Sequence, residues 1–433
     1  MRIVFATALL VALALAVSSV PLGAQALPPK PAKLTMAVVA GGETKGLKAI
    51  VPLWEKEKGV KIELVEFPYP TLYEKLVTTF QAKAATYDLL IADDPWMPKF
   101  GSEGWLVPLD KEFGYTRDPD IFPVVYDLGS WPPPRGPVPP TERNKPRHLY
   151  TITLVGNVEF FMYRKDLVSE PKTWDDVLAN AKKVHNPSTP MFGMVLRGAK
   201  GNPVISEFTP VLLSFGGRIF DNNWKVVLNS KEAVAALKFF AKDLKQYAPP
   251  GVENYDAAER AREVATGRAA QGFIWPAEIT DIVENPSVSK VIGKMGYTLA
   301  PRGPGNVHGP LIGNWMLGIP QGSKNKRWAY EFILWATGKN VQRPYVLGGG
   351  IPFRKSIMLD AEMNKKFGFL KAMAASLEAP AQWRPRTSEW FAVEAILGTH
   401  VNAALAGLET PEDAIAKAAQ EIEKHMREAG YYK

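Results

Sequence analysis

Residues 311–354 read LIGNWMLGIPQGSKNKRWAYEFILWATGKNVQRPYVLGGGIPFR, and this stretch decides the fold. Trp315 to Ile319 is a short apolar run that Pro320, Gln321 and Gly322 bring to an end, as in a strand entering a turn. Ser323 stands where an N-cap belongs. Trp328, Ala329, Phe332, Ile333, Trp335 and Ala336 follow at helical spacing until Gly338 stops the helix. A glycine-rich return, Gly348 to Gly350, then leads to Pro352 and Arg354.

Outward from it, the chain alternates. Leu34 to Val39 reads as a strand, Leu47, Ile50, Val51 and Trp54 as a helix face, Val60 to Val65 as a strand, Leu72, Leu76 and Phe80 as a second helix face, and Leu89 to Ala92 as a third strand. Such alternation predicts parallel strands flanked by helices, and ligands bind these sheets at the carboxyl ends of the strands. Two of those ends carry Gly41-Gly42-Glu43 and Asp93-Asp94-Pro95-Trp96. The proline-rich WPPPRGPVPP at 131–140 reads as an extended surface loop. Thr173 to Asp176 reads as a capping box.

Mature length argues for two lobes, because some 400 residues exceed what one core usually serves. Val155 to Glu159, with a glycine inside a strand run, is expected to be the first passage between them. Tyr297 to Pro301 is expected to carry the chain back, and Gly348 to Pro352 to make the third crossing. The expected division is 1–26 signal peptide, 27–156 and 302–350 one lobe, and 157–301 and 351–433 the other.

Composition excludes several classes. Ile3 to Val17 is almost wholly apolar, Arg2 precedes it, and Ala24-Gln25-Ala26 is a small-x-small cleavage site, so export with cleavage after Ala26 is expected. The chain has no cysteine, which excludes disulfides, thiolate metal sites and the acylated residue of a lipoprotein. Net charge is +8, and it is spread without a basic stripe, so no nucleic-acid partner is expected. His148, His185, His308, His400 and His425 are far apart, and no Gly-x-Ser-x-Gly or His-Glu-x-x-His occurs. No catalytic residue, metal or cofactor is expected.

In order and spacing, Tyr87 to Leu90, Phe100 to Asp110, Phe160 to Leu167, Pro171 to Asp176, Gly216 to Asp221, Gly267 to Trp275, Gly313 to Arg354 and Trp390 to Ala414 resemble the bacterial extracellular solute-binding proteins of the maltose-binding type. The resemblance covers nearly the whole mature chain. It implies a two-lobed α/β periplasmic binding protein fold, each lobe a mostly parallel sheet flanked by helices, with a hinge and a ligand cleft between them. It further implies a periplasmic monomer that captures a carbohydrate and delivers it to the permease subunits of an ABC importer. An anionic solute such as a glycerol phosphate ester, or a polyamine, is the alternative cargo; a secreted carbohydrate-active hydrolase or lyase is a distant one.

Trp275 and Trp390 fall where that family sets aromatic rings against a sugar, whose apolar faces need flat rings and whose hydroxyls need amides or carboxylates. Asn157 stands where the maltose-binding relatives carry a carboxylate, and Trp96 lies a few residues beyond their tryptophan, which leaves the cargo open. From the residues themselves, Gly42 lets a backbone approach a ligand and Glu43 can accept two hydroxyls. Asp93 and Asp94 are adjacent, so at most one should reach the cleft. Asn314 is the expected hydroxyl contact, with Trp315 beside it facing cleft or core. Arg354 could clamp a hydroxyl or pair with a lobe carboxylate. Trp383, with Arg384 and Arg386, completes the candidate set.

Overall fold

The computed structural model describes residues 27–378 and 383–432; the expected signal segment 1–26 lies outside the described residues. Its strands are β1 Lys33–Val39, β2 Lys61–Phe67, β3 Leu89–Asp93, β4 Ser130–Trp131, β5 His148–Leu149, β6 Thr151–Val155, β7 Phe160–Arg164, β8 Gln271–Ile274, β9 Met295–Thr298 and β10 Trp315–Gly318. They form a five-stranded sheet in the order β2-β1-β3-β10-β6, a three-stranded sheet β8-β7-β9, and the pair β4-β5.

β1 runs parallel to β2 and β3, joined through the helices Lys45–Lys58 and Tyr69–Gln81. Leu47, Ile50, Trp54, Leu72 and Leu76 are fully buried, as their spacing predicts. Trp54 meets Phe332 and Trp335 edge-on at 5.2 and 5.4 Å, which fixes the helix Lys326–Ala336 to the same layer. The two-lobed α/β fold stands, but the expectation of mostly parallel sheets is corrected. β10 is antiparallel to β3 and β6, and β7 is antiparallel to β8 and β9. The cause is the direction of travel: β10 enters its sheet beside the end of β3, whereas β7 leaves the passage between sheets and β8 and β9 come back.

The helix Lys326–Ala336 begins after Asn325 rather than Ser323. The Ser323 hydroxyl donates to Asp88 at 2.9 Å, and Asp88 also receives Thr35 N–H and the Asn325 amide, so a half-buried carboxylate claims the expected cap. Thr173 and Asp176 do form the capping box. The 131–140 loop is only partly a surface loop: Trp131, Pro132 and Pro133 are buried, the Trp131 ring N–H donates to Glu142, and Arg147 donates to the Pro132 and Pro133 carbonyls.

The chain passes from the five-stranded to the three-stranded sheet after β6 and back before β10, and the segment expected to make the third crossing lies beside these two passages. Glu159 N–H donates to Leu311 O at 2.7 Å, Gly313 N–H to Asn157 O at 3.0 Å, and Gly156 N–H to Ile351 O at 3.2 Å. The return expected at Tyr297 to Pro301 is therefore later, at Leu311 to Gly313, because Gly303, Gly305 and Gly309 run against Pro210, Ser214 and Gly216 at the end of the helix Asn202–Ser214. A Cβ at Gly156 would stand 2.1 Å from the backbone oxygen of Pro352. Gly156→Ala is accordingly expected to destabilise the chain by about 1–3 kcal/mol in urea unfolding, since the obstacle is backbone that has to move. An unchanged midpoint would mean the passages separate without cost.

Candidate functional site

β1 and β3 end next to each other, and the loops beyond them face the end of β8 across a cavity of about 880 Å3. The five-stranded sheet's side supplies Gly42 and Glu43 after β1, Tyr69 from the helix Tyr69–Gln81 after β2, Asp93 at the end of β3, and Trp315 at the start of β10. Trp275 after β8, with Glu278, Arg197 and Asp256, comes from the opposite side. Asn157 and Gly313 lie on the passages, and Arg384, Phe391 and Glu394 complete the wall.

Strand register explains who faces the cavity. Trp315 pairs directly with Asp93, so both side chains point the same way and Asn314 points the other. Asn314 is fully buried and donates to Thr153 at 3.2 Å, which corrects its expected hydroxyl contact. Trp315 stands edge-on to Tyr69 and to Trp96, with centroids 5.7 and 5.6 Å apart. Trp96 is thus a support behind the wall. Gly313 leaves room for the Trp275 ring, since a Cβ there would come within 2.7 Å of it. Across the rim, Lys45 pairs with Asp281 and Tyr73 stacks on Phe391 at 4.6 Å, so the two sides touch.

Trp390 and Trp383 are corrected as well, whereas Arg354 takes the carboxylate-pairing alternative and Asp94 is the member of the adjacent pair that stays out of the cleft. Trp390 is 2% exposed and lies in the core around the helix Trp390–Ala406 together with Val393, Leu397 and Val401; the cavity face of that helix is Phe391, Glu394 and Ala395. The helical step turns consecutive residues about 100° apart, so a one-residue error in phase exchanges core for cleft. Arg354 is spent on Asp118 at 2.7 Å, Asp120 at 3.1 Å and the Thr337 carbonyl. Trp383 carries Arg135 over its ring at 4.8 Å and does not line the cavity. Asp94, fully buried behind Asp93, holds Arg384 at 3.2 Å.

The wall carries Glu43, Asp93, Asp256, Glu259, Glu278, Asp281 and Glu394 against Arg197, Lys200 and Arg384. Asp256 is paired with Arg197 at 2.8 Å and Glu278 with Arg260 at 2.7 Å, while Asp93 accepts from the Tyr69 hydroxyl at 2.9 Å. Behind the wall Arg260, fully buried, also binds Glu159 at 3.1 Å and Glu207. Burial pushes Glu159 up to about 7 against the pull of Arg260. Burial likewise pushes Glu43 up to about 7, and Glu278 opposite adds to it. Burial raises Asp93, Glu278 and Glu394 too, each opposed by its arginine. For Arg384 burial works against the charge, yet Asp93, Asp94 and Glu394 carry its pKa upward. Asn157 is 3% exposed, and its Oδ1 has no partner.

A wall of acceptors, held donors and ring edges is equipped to grip a polar solute. No His, Asp, Glu group that could hold a metal occurs among the described residues, and no described helix is long and apolar enough to cross a membrane. A probable amino-acid ABC transporter periplasmic-binding protein of Sinorhizobium fredii is 27% identical over 93% of this chain and 91% of its own. A mannitol-binding protein of Pseudomonas aeruginosa is 26% identical over 92% and 94%. The crystal structure of an ABC transporter solute-binding protein from Agrobacterium radiobacter with ribitol superposes with a TM-score of 0.81 at 28% identity, covering 92% of this chain and all of that one. The profile of the bacterial extracellular solute-binding proteins matches residues 40–343, well over half of the chain, and the chain belongs to that family.

Proposed function

We propose that the cavity captures a small carbohydrate, a polyol or a sugar, for an ABC importer. The observation that carries this is the chemistry of the wall. Its buried arginines are already neutralised by carboxylates, so they can donate to hydroxyls but offer no surplus positive charge to an anion. The acid surplus counts against glycerol phosphate esters and against the carboxylate of an amino acid. Trp275, Trp315 and Tyr69 supply apolar edges for carbon–hydrogen faces. Relatives that bind mannitol and ribitol support the same reading.

The lobes are proposed to divide at the three passages, near residues 156, 312 and 352, and to swing about them. A solute touching Asp93 on one side and Trp275 on the other favours the closed form, because only that form lets both act on it. The chain is proposed to work as an exported monomer, cleaved after Ala26 and without lipid, cofactor or catalytic step, whose closed form the permease subunits receive.

A thermal-shift panel of pentitols, hexitols, mono- and disaccharides, glycerol phosphate esters, amino acids and polyamines tests this. A true ligand at a hundredfold excess over its Kd should stabilise by about 2.7 kcal/mol. Shifts confined to anions, amino acids or amines would overturn the reading.

A further inference from the structure

We propose that Arg384 and Glu394 form a clamp that reads one hydroxyl of the captured solute, the hydroxyl accepting from the guanidinium and donating to the carboxylate. This rests on the polyhydroxyl reading above. Arg384 and Glu394 are both 4% exposed and both line the cavity. One guanidinium nitrogen, Nη1, makes both of the arginine's hydrogen bonds, to Asp94 Oδ1 and to Ile312 O, each at 3.2 Å. The other two nitrogens make none among the described residues. Nε lies 4.0 Å from Glu394 Oε1, too far to bond but near enough to set the guanidinium edge and the carboxylate side by side.

Both partners are held. Arg384 is anchored through Asp94 on the first sheet's loop and Ile312 on a passage, and Glu394 accepts from the Asn202 amide at 2.9 Å. Arg386 fixes the same segment by donating to the Asp94 and Leu128 carbonyls. A donor edge and an acceptor edge fixed beside each other select by complementarity. A hydroxyl satisfies both. An ether oxygen cannot donate, an ammonium cannot accept, and a carboxylate or phosphate would meet Glu394 with like charge. The clamp therefore demands a free hydroxyl at one position of the solute, and it joins a residue tied to the first sheet with one on the helix Trp390–Ala406.

Titration calorimetry with ribitol, D-mannitol and D-glucose, then with the monodeoxy and mono-O-methyl analogues of whichever binds, tests the clamp. In the unsubstituted protein, deoxygenation and methylation at one position should each weaken binding on the order of a hundredfold. Arg384→Lys keeps a cation for Asp94 but has no second donor edge, and Glu394→Gln keeps an acceptor for Asn202 without the charge. In both, the penalty at that position should fall below about tenfold while penalties elsewhere persist. Equal penalties in the variants and the unsubstituted protein overturn the clamp and leave the polyol reading intact. Glu394→Gln decides the matter if Arg384→Lys does not fold. Absence of binding by every polyol and sugar overturns the underlying reading, and the clamp with it.

Discussion

Arg260→Met is expected to destabilise the protein by about 3–5 kcal/mol at pH 7, because removing the cation leaves Glu159, Glu207 and Glu278 buried around an uncharged side chain. The three carboxylates come from three separate elements: the passage after β6, the helix Asn202–Ser214, and the turn after β8. Among the described residues, the partner these three share is one guanidinium. The loss should be steepest at high pH, where all three must ionise, and smallest near pH 5, where protonation relieves the repulsion.

The unsubstituted chain should show the same trend more weakly. Burial pushes Glu43 and Glu159 up to about 7 from the ordinary glutamate value of 4.5, so their contribution to stability is complete below 4.5 and is lost as pH rises through 7. Urea unfolding at pH 5 and pH 8 checks both statements. A loss under about 1 kcal/mol with no pH dependence would show that Arg260 does not hold this cluster.

Trp275→Ala is expected to weaken carbohydrate binding at least about a hundredfold in titration calorimetry, since one buried anchor commonly dominates a small site. It should also cost about 3 kcal/mol of stability. The ring is 7% exposed and lies against Gly313, so it serves the passage as well as the cavity. Trp275→Phe should restore much of the stability while leaving affinity reduced, which separates the two roles. Unchanged affinity in Trp275→Ala would remove the residue from the site.

What could be read from residues alone follows from range. β1 to β3 and their helices declare themselves by local periodicity, and Gly42, Glu43 and Asp93 by their place at strand ends. The insertion of β10 between β3 and β6 leaves no such mark, because strand order depends on partners more than a hundred residues away. Arg197, Glu278 and Arg260 carry no local mark either, because their partners lie 59, 18 and 101 positions away and no helix or strand spacing links them. Asn314 and Trp390 illustrate a different failure, in which the element is found and its phase is not. Phe391, Glu394 and Ala395 share a helix face at i, i+3 and i+4, the signal that would have set that phase.

The late arrival of β10 has a consequence for how the chain is made. Until Trp315–Gly318 has been synthesised, β3 and β6 lack the neighbour that joins them in one sheet. An incomplete sheet with open edges folds slowly, since its closing contacts span long loops. The five-stranded sheet therefore cannot close until Trp315–Gly318 has emerged, although every strand of β8-β7-β9 precedes it, so the first lobe is the later of the two to become complete.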